Sequence, residues 1–256
     1  MRNLIKMELY KLRTSKLFII FLAVLAAANV IITVASTLLM NALAQGAALP
    51  KMQLSAAFTN PFSLGILTML IYISAVSFLY LDFSDGYIKN IAGQVPNRGN
   101  IVIAKFITVA VHNLIFFLAA TLGNLLGGVI IGMVADTENL GAAILTFGVK
   151  WLLSLAICAI LMFFAVGLRS KVIALILGVM FALNALSLLY MGVDALIANV
   201  FKTTDFSLGN YMPDSRFGAV NAVENSLVAN GIIVAVVFIA AFYILTYLSF
   251  KKKDIK

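Results

Sequence analysis

Apolar residues fill this chain in long blocks, and polar residues gather between them. Six blocks approach or exceed the roughly 20 mostly apolar residues that a helix needs to cross a bilayer. They occupy residues 16–40, 62–81, 101–134, 143–168, 172–190 and 231–250. The pattern predicts an all-α, polytopic membrane protein with six transmembrane helices. The first block is longer than the roughly 7–15 residues of a cleaved signal core, so it reads as a retained helix.

Composition agrees with the blocks. Of 256 residues, 63% are hydrophobic and 11% charged. A soluble domain is usually about 45–50% apolar and about 25% charged. The surplus apolar surface must face lipid, and the length suits a single transmembrane domain, 1–256. The lone Cys158 allows no intrachain disulfide and reads as a small packing residue within its block. One cysteine and one histidine do not make a usual structural zinc site.

The formal charge of +8 raises the question of a nucleic-acid partner, and its distribution answers it. Fourteen basic residues fall before or at the start of the first block, between the second and the start of the third, between the fourth and fifth, and after the sixth. Only Lys51, Lys150, Lys202 and Arg216 fall on the other side, together with six acidic residues. Positive loops stay in the cytoplasm, so both termini are expected there. The basic balance is then topology, and no nucleic acid is required.

Residues 1–15 carry Leu4, Ile5, Leu9 and Leu12 at helical spacing among basic residues. That predicts a basic amphipathic helix on the inner membrane surface. In the loop 82–100, Tyr87, Ile88 and Ile91 share one side of a short helix, which Gly93, Pro96 and Gly99 then break. Its apolar side must bury itself on a soluble partner or on this chain's own inner surface. The third block would run about 51 Å as helix, against a hydrocarbon core of about 30 Å. A cytoplasmic extension would leave Lys105 in water. Gly123, Gly127, Gly128 and Gly132 recur at spacings of four, which suits close helix packing or a pathway.

Other polar groups are few. His112 reads as a neutral packing residue. Lys150 beside Trp151 reads as an outer-interface pair, with the lysine snorkelling to water. Asn29, Asn113, Asn124 and Asn184 can bridge helices. The outer segment 191–230 holds two semi-apolar pieces, 193–201 and 217–228, which suit short interfacial helices. No block holds an acidic residue near its middle, and no helix break near mid-membrane is evident, which argues against an ion-coupled carrier.

The chain has no catalytic motif. No glycine is followed by lysine, so no phosphate-binding loop is present. Neither a His-Glu-x-x-His motif nor a Gly-x-Ser-x-Gly elbow occurs. This is not expected to be an enzyme. Active transport would take its energy from a partner.

Glu8-Leu9-Tyr10-Lys11-Leu12 leading into the first block, then Asp85-Gly86-Tyr87-Ile88-Lys89-Asn90, Arg98 and Lys105, give a familiar layout. It resembles the membrane-spanning permease subunit of type-2 ATP-binding-cassette exporters. It is most similar to small Gram-positive permeases of antimicrobial-peptide immunity or peptide export. The resemblance implies that residues 1–15 are an elbow helix and that 82–100 is the cytoplasmic coupling loop. Asp85, Tyr87, Ile88, Lys89 and Ile91 would dock on a separate ATPase, with Arg169 in a second, smaller contact. It implies a pathway between two permease chains, alike or different, in a bacterial cell membrane. ATP and magnesium would be bound by the partner, with no cofactor on this chain. The family often has a glutamate and a Gly-Thr pair where this chain has Asp82, Asp85 and Gly86-Tyr87. A stand-alone carrier or channel, or a membrane scaffold subunit, are the alternative readings.

Overall fold

A computed structural model describes residues 1–43, 52–53, 57–58, 60–62, 64–84, 86–88, 95, 99–132, 135–136, 140–202, 206–220 and 225–252. The architecture is helical. An N-terminal helix α1 (Arg2–Thr14) turns at Ser15, in extended backbone, into α2 (Lys16–Leu43). A 3-10 turn, Asn60–Phe62, leads towards α3 (Gly65–Ser84). Then come α4 (Gly99–Ile130) and α5 (Leu140–Met162), the latter closed by a π-turn, Phe163–Gly167. The chain continues through α6 (Lys171–Ala182) and α7 (Ser187–Phe201). A 3-10 turn (Leu208–Tyr211) and a short α8 (Pro213–Ala219) precede the final helix α9 (Asn225–Lys252). Among the described residues the only strand pairing is a two-residue parallel bridge, Met52–Gln53 with Ala135–Asp136.

Five helical segments are long and apolar enough to cross a membrane, and α6 with α7 make a sixth only if a bent pair counts as one. Here the structure adds to the sequence reading. The run 172–190 is not one straight span. It bends by 76° between α6 and α7. Neither proline nor glycine marks the break. Asn184 takes a left-handed backbone, φ 53°, which asparagine tolerates better than most residues. With 12 residues, α6 covers only about 18 Å. The carbonyl of Ala182 abuts Gly65 at the start of α3, where an added Cβ would come within 2.5 Å of it. The bend is therefore level with one end of α3. Residues 193–201 belong to α7; of the piece 217–228, residues 217–219 end α8, 225–228 begin α9, and 221–224 lie outside the described residues.

The core is centred on α3, α4 and α5. The most hydrophobic windows of α2 and α9 are 17% buried, against 78% for the segment of α5. In water such exposure would be ruinous; in lipid it is solvation. Both termini approach one end of the bundle: Lys11 of α1 pairs with Asp82 in the last turn of α3, and Phe250 of α9 contacts Phe83.

Gly123 and Gly127 set the distance between α4 and α2. A Cβ on Gly123 would lie 2.6 Å from the Ala26 carbonyl oxygen, and one on Gly127 2.8 Å from Thr33 Cβ. Gly128 is buried on the same helix. Gly132 differs from the other three. It has φ 75° and open space around it, so it ends the helix and packs against nothing.

Polar bonds tie α4 to α2, α3 and α5. Thr33 of α2 donates to Asn124 at 2.6 Å. Ser74 of α3 meets His112 Nε2 at 2.9 Å, and the imidazole stacks on Phe116. Asn113 donates to Ser154 of α5 at 2.9 Å and contacts the Cys158 sulfur. Asn29 instead donates to Leu25 of its own helix, and Asn184 serves the bend. In an apolar setting these pairs fix register, because an unmade bond there has no water to replace it.

Candidate coupling site and its buried charge ring

The loop proposed from the sequence hangs between α3 and α4. Of its docking residues, Asp85, Lys89 and Ile91 lie outside the described residues. Tyr87 and Ile88 are described, and they diverge. Ile88 is buried in the chain's own core, whereas Tyr87 is half exposed. The adjacency that put both on one docking face does not survive folding, because this protein's own apolar interior takes Ile88. Gly86, with φ 66°, provides the turn that follows α3. Arg169 lies at the other connection, between the π-turn and α6, also left-handed at φ 60°. Ser170 follows it and caps α6 by accepting from Ile173 N–H.

Four charged side chains close a ring at the stems of that loop. Lys11 Nζ lies 3.1 Å from Glu8 Oε1 and 2.7 Å from Asp82 Oδ1. Lys105 Nζ lies 2.5 Å from Asp82 Oδ2 and 3.6 Å from Glu8 Oε2. Glu8, Asp82 and Lys105 are all at most 3% exposed. Thus α1, the end of α3 and the start of α4 are joined by two cations and two anions of zero net charge. Lys105 was expected in water; it is fully buried, because Asp82 and Glu8 supply the charge that hydration would have supplied.

The ring's energetics are asymmetric. A buried ion pair gains little net stability over a well-packed apolar replacement. Removing one partner costs about 3–5 kcal/mol, because an unpaired charge stays buried. Burial depresses the Lys11 ammonium's pKa, but its bonds to Asp82 and the attraction of Glu8 outweigh this and raise it above its usual 10.5. The sign follows: Lys11 stabilises the fold below pH 10.5 and loses that effect only as pH climbs through the raised value. At neutral pH the ring is insensitive to pH through this group. The Lys11 ammonium also stands 5.3 Å from the centre of the Tyr87 ring, which extends the cluster to that half-exposed side chain.

Sequence reading missed the ring, although signals existed. Glu8 is the one acid in a basic helix, at i,i+3 from Lys11. Asp82 and Lys105 flank the loop, 23 residues apart. What no pattern shows is that α1 folds back across both stems.

The opposite end handles its charges differently. Lys150 does not snorkel; it is 2% exposed, with its ammonium 5.6 Å from the centre of the Phe217 ring of α8. Phe217 also meets Phe62 and Phe117, which stack at 4.1 Å. Asp214 accepts from the Tyr190 hydroxyl, and burial holds its carboxyl above the usual carboxylate range.

Residues 4–185 match the family described as ABC-2 family transporter protein, a stretch running from within α1, through the ring and the loop, to the bend after α6. No curated protein matches the chain. A match over that much of the chain, with its several membrane-crossing helices, shows that this multi-pass membrane protein belongs to the ABC-2 transporter family as a permease subunit.

Proposed function

We propose that this chain forms the conduit of an exporter powered by a separate cytoplasmic ATPase. The charged end of the bundle faces the cytoplasm, in keeping with the placement of fourteen of the eighteen basic residues. α1 is the elbow helix and 82–100 the coupling loop. A second permease chain, alike or different, completes the conduit, and ATP with magnesium is bound and hydrolysed on the partner. Cargo is amphipathic or apolar, with a peptide preferred, since the spans carry few charges.

The single observation behind this reading is the ring of Glu8, Lys11, Asp82 and Lys105. A push on the loop reaches α1 and α4 together, because their charges share Asp82 and cannot separate without stranding one another. α4 then carries the displacement through its polar ties to α2, α3 and α5. Tyr87 is the exposed contact, and Arg169 belongs to the second inner turn.

Replacing Tyr87 with aspartate tests this without disturbing the buried Ile88. In proteoliposomes holding the permease and its ATPase, cargo movement should fall at least about tenfold while membrane insertion is retained. Full transport by that variant would remove Tyr87 from the coupling surface. Uphill transport by the chain with no ATPase present would overturn the whole reading. The bend between α6 and α7 revives the broken-helix argument for a carrier. It lies level with the end of α3, however, and Leu183, Asn184, Ala185 and Leu186 carry no ionisable group.

A further inference from the structure

At the end opposite the ring, α8 and α9 enclose a hollow of about 270 Å³ lined by Asn210, Tyr211, Arg216, Asn230, Ile233 and Val234. Its lining is divided. The 3-10 turn, α8 and the first turns of α9 provide a guanidinium, two carboxamides and a phenol. The next turn of α9 provides two aliphatic side chains. Arg216 is 7% exposed, and its Nε donates to the Asn210 carbonyl at 2.7 Å, which fixes the guanidinium in place. Among the described residues no carboxylate pairs with it; nearby Asp214 is taken by Tyr190. From Ile233 at the hollow, Val236, Val237 and Ile244 continue as exposed residues along α9, as lipid-facing residues do.

A fixed guanidinium in a polar hollow beside hydrocarbon-facing aliphatics matches an anion carried on an apolar chain. We propose that this hollow binds the phosphate of an anionic phospholipid, with the acyl chains lying outside along the exposed face of α9. Guanidinium N–H groups match phosphate oxygens in pairs, a geometry that lysine lacks. Asn230 and Tyr211 add donors at the rim. The volume is just below the roughly 300 Å³ at which pockets for whole small molecules begin, so it admits a headgroup and not a complete lipid. A lipid is favoured over a peptide carboxylate because the aliphatic stripe continues along the membrane-crossing helix. Only the choice of the outer leaflet rests on the topology proposed above; the binding itself does not.

The test uses the full chain in nanodiscs of phosphatidylcholine with or without phosphatidylglycerol, and native mass spectrometry to count retained lipid. The unaltered protein should keep one phosphatidylglycerol in preference to phosphatidylcholine by about tenfold. Asn230→Asp places a carboxylate at the exposed rim, facing Arg216, and should abolish that preference with the melting temperature unchanged. Arg216→Gln should also abolish the preference, with some loss of melting temperature because its bond to the Asn210 carbonyl goes too, and Arg216→Lys should keep part of the preference. Preference undiminished in Asn230→Asp and Arg216→Gln overturns the proposal. So does release of the lipid by millimolar inorganic phosphate alone, which would mark a site for the free anion. Failure of the coupling scheme would leave this lipid count unchanged, so the two ideas fail separately.

Discussion

The two ends of the bundle bury charge by opposite means. At the charged end, cations and anions neutralise one another across three helices, and no member can leave without stranding another. At the far end, Lys150 lies against an aromatic face, Arg216 bonds a backbone carbonyl, and Asp214 accepts from a phenol. The first arrangement makes a stiff joint. The second holds α8 by packing and single bonds, so it can loosen one contact at a time. Under the coupling scheme proposed above, force enters at the stiff end, and the looser end would be the one to yield.

The largest expected effect comes from breaking the joint. Asp82→Asn leaves Lys11 and Lys105 sharing Glu8 alone and should cost about 3–5 kcal/mol in thermal unfolding of the purified protein. Asp82→Asn combined with Lys105→Met should cost less than Asp82→Asn by itself, because the stranded ammonium is gone. Strict additivity would show that the four side chains do not act as a unit.

Next comes the rod between the ends. Gly123→Ala drives a Cβ against the Ala26 carbonyl, a backbone atom that cannot swing aside. A loss of about 1–3 kcal/mol is expected as α2 and α4 are forced apart. Gly132→Ala should leave that packing untouched and act only through its left-handed backbone.

Effects at the far end should be smaller. Phe217→Leu keeps apolar bulk but removes the ring from Lys150, Phe62 and Phe117, at about 0.5–1.5 kcal/mol. Hydrogen exchange should rise in α8 and not in α1. Smallest is the Asp214 effect. Burial raises its pKa, so its contribution to stability is fullest below pH 3.8 and is lost as pH rises through the elevated value. Asp214→Asn should therefore flatten the melting profile between pH 4 and pH 8. A variant as pH-dependent as the parent protein would clear Asp214 of that role.

Much of this was legible in the sequence and some was not, for identifiable reasons. Five of the six apolar blocks correspond to membrane-crossing helices because lipid demands long apolar runs whatever the packing. The fifth, 172–190, is apolar but for Asn184 and Ser187, and it bends at Asn184 without the proline or glycine that usually announces a break. Lys105 and Lys150 misled for a shared reason. A lone lysine near a span's end predicts an exposed head, yet in both cases another element brings a partner over it.

By itself the sequence determined that this chain lives in a membrane, how many apolar runs it has, and which of the segments between them carry its charge. Those properties follow from solvent and length alone, so local composition is enough. Only the tertiary structure decided that Glu8, Lys11, Asp82 and Lys105 meet, that Ile88 turns inward while Tyr87 faces out, and that α8 covers Lys150. Each depends on two or three segments far apart in the chain arriving at one place, and no periodicity within a segment records that meeting.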